Sequence, residues 1–186
     1  MAMRLVVPYQ DRPLVPSSAD RVRRFKRHLV ACLRDLRKAR RPDRLIQAPV
    51  VPPPDAAVPV LRAGCAACRG YCCLGGEEHA YIDERTLARV RRDQPALTER
   101  GVIAAYAGQI SKLSFAGSCL FHGENGCTLR PDMRARLCDS FFCSPLRAFL
   151  RDPAMAGIPA DAVSVVPGPA GWDGGRAAKT RRGVPP

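Results

Sequence analysis

Aromatic residues are scarce in this chain of 186 residues: six Phe, four Tyr and one Trp. The hydrophobic fraction of 46% rests heavily on alanine, so the apolar core that it predicts is small and needs a staple. Acidic residues are also few, 17 Asp and Glu against 30 Lys and Arg, which gives a formal charge of +13. No stretch approaches the ~20 consecutive apolar residues of a membrane span. The opening MAMRLVVPYQDRP lacks the apolar region of a signal peptide, because Leu5-Val6-Val7 is short and Pro8 closes it. The expectation is therefore a cytoplasmic protein without a transmembrane segment. With three histidines, no paired acid and base and no phosphate-binding loop, no catalytic constellation is found, and the chain reads as something other than an enzyme. Internal repeats are absent too.

The positive charge is unevenly spread. Residues 1–62 carry 14 Lys and Arg against 5 Asp and Glu, most of the excess. Residues 1–16 read as an extended, disordered N-terminus. Ser17 or Ser18 suits a cap for a basic amphipathic helix over 17–41, ended by Pro42. Val22, Phe25, Leu29, Leu33 and Leu36 form its apolar stripe, and ten basic residues between Arg21 and Arg41 fill the other faces. A Pro-rich linker follows over 42–61, with Pro42, Pro49, Pro52-Pro53-Pro54 and Pro59. The helix thus looks separable from what comes next. Residues 62–151 read as a cysteine-cluster domain. In it EEHAYI suggests a short strand, Asp83 and Thr98 suggest helix caps, and CLF and CTL flank a turn at Asn125-Gly126. Ser144-Pro145 opens a last helix, LRAFLR. A Gly/Pro/Arg tail over 152–186 reads as disordered. The fold class expected is mainly α with a small β-hairpin, an irregular domain stabilised by metal, with extended termini.

Cysteine is what this chain has in excess. Residues 65–73 read CAACRGYCC, and eight of the nine cysteines fall within 79 residues: Cys65, Cys68, Cys72, Cys73, Cys119, Cys127, Cys138 and Cys143. A C-x2-C pair such as Cys65/Cys68 can turn both sulfurs toward one cation. In extended chain the adjacent Cys72 and Cys73 point to opposite sides. They are therefore expected to serve two sites, or one binds and the other packs. In a reducing compartment such clustering points to metal rather than disulfides. Ligation by cysteine alone fits zinc or iron, including an iron–sulfur cluster, and argues against magnesium or calcium. Arg69, Arg130, Arg134, Arg136 and Arg147 lie near the cysteines and are available to offset thiolate charge. The Phe141-Phe142 pair is placed to wall the site from water.

CAACRGYCC resembles the CxxCxxxCC signature of the YkgJ-type cysteine-cluster proteins, bacterial proteins described as zinc- or iron-chelating domains. CLFHGENGC and the closing CDSFFC also follow that family's order, and the likeness covers roughly residues 64–146. It implies a bacterial metal-binding domain whose ligands are the eight clustered cysteines. The family's Arg-Pro before the penultimate cysteine falls early here, at Arg130-Pro131. A comparable cluster occurs in bacterial flagellin lysine methylases, but no cofactor-binding region that would support methyl transfer is present.

Three readings of function stand at this point. The first is a cytoplasmic protein binding zinc or iron through its cysteines. The second is a metal-supported nucleic-acid-binding module, using Arg23, Arg24, Arg27, Arg34, Arg37 and Lys38 of the basic helix, a face that suits any acidic partner. The third is a redox or protein-modifying enzyme with an exposed iron–sulfur centre. Cys32, on the apolar stripe, reads as a packing thiol. His122 reads as a loop-tip residue rather than a ligand, and His28 and His79 carry no signal.

Overall fold

The computed structural model describes residues 3–40, 45, 48–152, 159 and 162–170. The chain divides into two compact units, one of residues 1–11, 52–71 and 142–186, the other of residues 12–51 and 72–141. Among the described residues the structure is mainly helical with three two-stranded sheets, as expected at this level.

The first unit contains a parallel pair, strands β1 (Met3–Tyr9) and β6 (Val163–Ala170), in register from Met3↔Val163 to Val7↔Pro167. The register shifts between Val7 and Tyr9, around Pro8, which has no N–H to give the ladder. Helices α2 (Val58–Cys68) and α6 (Ser144–Arg151) complete this unit. Its core joins Leu5, Val7, Val60, Leu61, Cys68, Leu146, Phe149 and Val163. Gly64 fits closely there: a Cβ at this position would stand 2.8 Å from Leu146 Cδ2, so the missing side chain lets α2 and α6 approach without moving Leu146. Two expectations are corrected. The first 16 residues are not structureless, because Leu5-Val6-Val7 finds a partner in Val163–Val166, and β2 (Leu14–Pro16) forms as well. Nor is the whole stretch beyond 152 without structure, since β6 lies in it. The end of the 42–61 linker is helical, Pro59 being accepted in the first turn of α2. Pro42, expected to end the basic helix, and the tail beyond 170 lie outside the described residues.

The second unit is built on α1 (Ala19–Lys38), α3 (Glu84–Asp93) and α4 (Glu99–Ala107). Each starts as its sequence predicts, with Ser18, Asp83 and Thr98 accepting from the backbone N–H of Arg21, Thr86 and Gly101. The α1 stripe of Phe25, Leu29, Leu33 and Leu36 is buried against Leu87, Val102, Tyr106, Leu120 and Phe121. Phe25 meets Phe121 edge-on at 5.2 Å between ring centroids. The helix is therefore part of the core of this unit and not a separable arm. Its apolar stripe needs cover, and α3 and α4 supply it. Small antiparallel pairs complete the unit: β2 with β3 (Leu113–Phe115), and β4 (His122–Gly123) with β5 (Gly126–Cys127). The second pair is a hairpin in the expected region, but its arms come from the HGENG stretch and Cys127 rather than from CLF and the rest of CTL, with Glu124-Asn125 at the turn. The EEHAYI strand does not form. Residues 77–81 turn instead, with Glu77, Ala80 and Tyr81 all at positive φ. A short helix, α5 (Arg136–Ser140), follows the single helical turn at Pro131–Met133.

Candidate metal centre

Five of the eight clustered cysteines come together in the second unit. Cys72, Cys73, Cys119, Cys127 and Cys138 line one cavity of about 210 Å³, walled by Tyr81, His122, Leu129, Arg134, Leu137 and Phe141. Local structure explains how they meet. Residues Tyr71–Gly76 form a 3-10 helix, in which neighbouring side chains diverge by about a third of a turn rather than by half a turn as in a strand. Both Cys72 and Cys73 therefore reach the same cavity, where an extended backbone would have sent them apart. Two backbone bonds, Cys119 N to Cys73 O at 3.0 Å and Leu120 N to Glu77 O at 3.2 Å, fasten this segment to the strip that carries Cys119. The hairpin pairs His122 with Cys127, and α5 carries Cys138.

Close packing holds the site in shape. At Gly76 a Cβ would stand 3.0 Å from Cys119 Cβ and 3.2 Å from Tyr81 Cε2, so the glycine lets the three segments approach a few tenths of an ångström closer than a side chain would. Tyr81 donates from its hydroxyl to Cys72 O at 2.8 Å, and its own N–H donates to His79 Nδ1 at 3.0 Å. Ala80 N bonds Gly76 O and Ile82 N bonds His79 O. These bonds hold Ala80 and Tyr81 in the left-handed region, at φ 52 and 57, against a cost of about 1–3 kcal/mol per residue. Helix α1 supports the site from the other side. Arg21 donates to Ser118 O, to Ser114 Oγ at 3.1 Å and to Glu78 at 3.3 Å, just before Cys119. Arg89, 6% exposed, donates to Asp132 O at 2.7 Å and to Arg134 O, bracing the turn that precedes Cys138.

The electrostatics are those of clustered, partly buried thiols. Burial pushes Cys119 up to about 12 and Cys138 up to about 11. The two adjacent thiols act on each other, so that Cys73 lowers Cys72 to about 7 while Cys72 and burial raise Cys73 well above the usual thiol range. Burial and the neighbouring thiols push Tyr81 up to about 12. Of the five arginines expected to offset thiolate charge, Arg134 lines the cavity. Arg130 is exposed and pairs with Asp132. Arg136 has a buried Nε with no hydrogen-bond partner among the described residues, and Arg69 and Arg147 belong to the first unit.

The loop-tip expectation for His122 is corrected. This residue is 3% exposed, at the start of the hairpin and on the cavity wall. Its Nδ1 lies 2.8 Å from Ser118 Oγ and its ring tilts against Phe115 at 4.7 Å. Its spacing three residues after Cys119 was the signal available. The remaining three cysteines fall in the first unit: Cys65 exposed and Cys68 buried on α2, and Cys143 as the residue before α6. Phe141 and Phe142 also part, Phe141 lining the cavity and Phe142 packing in the core of the first unit. Cys32 packs as predicted, 8% exposed, with Sγ 3.5 Å from His28 Nε2, and burial raises it to about 11. Among the described residues no group of three or more His, Cys, Asp or Glu is arranged to hold a single metal ion. Compared with known proteins, the chain matches no family model, no curated protein and no solved structure.

Proposed function

We propose that this chain is a metal-binding protein whose centre is held by four thiolates drawn from Cys72, Cys73, Cys119, Cys127 and Cys138, one of the adjacent Cys72 and Cys73 being the fifth. The observation that carries the reading is their convergence on one cavity from four separate segments. A packing role alone leaves it unexplained, because Cys72, Cys127 and Cys138 remain exposed. The donor set is soft, which suits zinc or iron. Size favours iron in a cluster. A tetrahedral zinc draws its sulfurs to about 3.8 Å from one another, given Zn–S bonds of about 2.3 Å. No group of three donors is so gathered among the described residues, while a cavity of about 210 Å³ accepts a larger body.

A bound iron–sulfur cluster would supply one-electron chemistry or structural cross-linking. The protein's own part is to present four sulfurs, with the fifth thiol adjacent in sequence to a ligand. His122 is oriented through Ser118, as metal-facing histidines usually are through a partner on the second nitrogen, and Arg134 offsets negative charge. The resemblance to the YkgJ-type cysteine-cluster proteins points the same way, and Cys65, Cys68 and Cys143 then remain as a further thiol set in the first unit.

Anaerobic purification followed by iron, sulfide and zinc analysis with a visible spectrum tests the reading. The expected result is a coloured protein with iron and acid-labile sulfide in equal amounts. Stoichiometric zinc without iron would refute the cluster, and failure to take up any metal, even after reconstitution of the reduced chain, would refute the centre itself.

A further inference from the structure

The outward face of α1 plays no part in the thiol cavity, yet it concentrates the charge of the chain. Arg23, Lys26, Arg27, Arg34, Arg37 and Lys38 are all exposed, against two exposed carboxylates on the same helix, Asp20 and Asp35. Arg23, Arg27, Arg34 and Lys38 follow one another at spacings of four, seven and four residues. They therefore form a single line along the helix, opposite the buried Phe25, Leu29 and Leu33. At 1.5 Å per residue that line is about 22 Å long. Lys26, Arg27 and Lys38 have no ion pair among the described residues. Arg23 pairs with Asp20 and Arg34 with Asp35 in the open, and Arg37 with the half-buried Glu99; exposed pairs contribute little and exchange easily.

We infer that this face binds the phosphate backbone of duplex DNA without sequence preference. A polyanion is the complement of a row of cations that lacks an apolar anchor, since Val30 is the one large exposed hydrophobic on the described helix. Insertion into a membrane needs a free apolar stripe, and that of α1 is buried in the core. Single strands need exposed aromatics for stacking, and Phe25, the sole aromatic of α1, is fully buried. Between duplexes, an α-helix about 10–12 Å across matches the major groove of B-DNA, about 12 Å wide, whereas that of A-form RNA is too narrow.

The test is fluorescence anisotropy of the full chain with a 20-base-pair DNA of scrambled sequence, between 50 and 200 mM salt. Four to six phosphate contacts predict a slope of log K against log salt of about −4 to −5. The fourfold variant Arg23→Gln, Arg27→Gln, Arg34→Gln, Lys38→Gln should keep its thermal melt and lose about three units of that slope. A control of equal charge loss, Arg62→Gln, Arg100→Gln, Arg147→Gln, Arg151→Gln, changes exposed positions off this helix and should retain the wild-type slope. Absence of binding at 50 mM salt would overturn the inference. So would equal weakening by the two variants, or binding to duplex RNA, single strands or phosphatidylserine vesicles as tight as to the DNA. Metal content is not part of the readout, so this result and that for the thiol centre are independent.

Discussion

Alkaline titration of the reduced, metal-free chain probes the thiol cavity most directly. Burial holds the Cys119 thiol at about 12 against its ordinary 9.0. Three units correspond to about 4 kcal/mol favouring the protonated form in the folded state. The sign follows from proton counting. Between pH 9 and 12 the unfolded chain has released this proton and the folded chain has kept it, so stability is complete below pH 9 and falls as pH rises. At pH 10.5 the loss from Cys119 alone comes to about 2 kcal/mol. Urea unfolding at pH 8 and 10.5 measures it, and in Cys119→Ser the difference between the two pH values should shrink by about that amount. Alkylation by iodoacetamide, mapped by mass spectrometry, gives an independent view. Cys72, lowered to about 7 beside Cys73, should react near pH 7, with Cys119 and Cys138 silent until well above pH 9. Metal should protect all of them and remove the alkaline loss, because a cation favours the thiolates. Early alkylation of Cys119, or identical alkaline slopes in wild type and Cys119→Ser, would refute the cavity as drawn.

Three further outcomes follow from named contacts. Arg89→Met should cost about 2–3 kcal/mol in chemical denaturation, since it strips Asp132 O and Arg134 O of their buried donor; a cost under 0.5 kcal/mol would contradict the bracing role. Gly76→Ala forces Cys119 and Tyr81 apart by a few tenths of an ångström, and should lower metal content per chain while leaving the α-helical circular dichroism in place. Cys32→Ser should leave metal content unchanged, because its thiol faces His28 and Ile82 O away from the cavity-lining set, whereas Cys119→Ser should reduce it.

What could be read from the sequence was local. The caps at Ser18, Asp83 and Thr98 and the stripe of α1 depend on residues within two turns, and each stands where its pattern places it. What could not be read depends on distant partners. Leu5-Val6-Val7 is too short to announce a strand alone, and its partner lies some 160 residues away. Helix α1 looked separable because the Pro-rich stretch after it masks its docking. Yet a helix with so regular an apolar stripe is rarely stable unless something covers that stripe. His122 failed as a polar loop residue because its burial comes from Phe115 and Ser118.

The cysteines show most clearly where pattern reading stops. Opposite orientation of Cys72 and Cys73 follows only if the backbone is extended, and the assumption was natural for a motif with no helical periodicity. The 3-10 geometry of Tyr71–Gly76 removes it. Spacing states how far along the chain two thiols lie, but the local backbone decides whether adjacent ones diverge. That backbone is in turn set by Gly76, which eases the close approach to Cys119, and by the Tyr81 hydroxyl bound to Cys72 O. A motif written as CxxCxxxCC therefore leaves out residues that aim its last two sulfurs. In this chain they are the glycine pair that follows the motif and a tyrosine eight residues beyond Cys73. Gly76→Ala, which leaves every cysteine in place, separates the two accounts. If cysteine spacing alone makes the centre, metal content is unchanged. If the aiming residues make it, metal content falls.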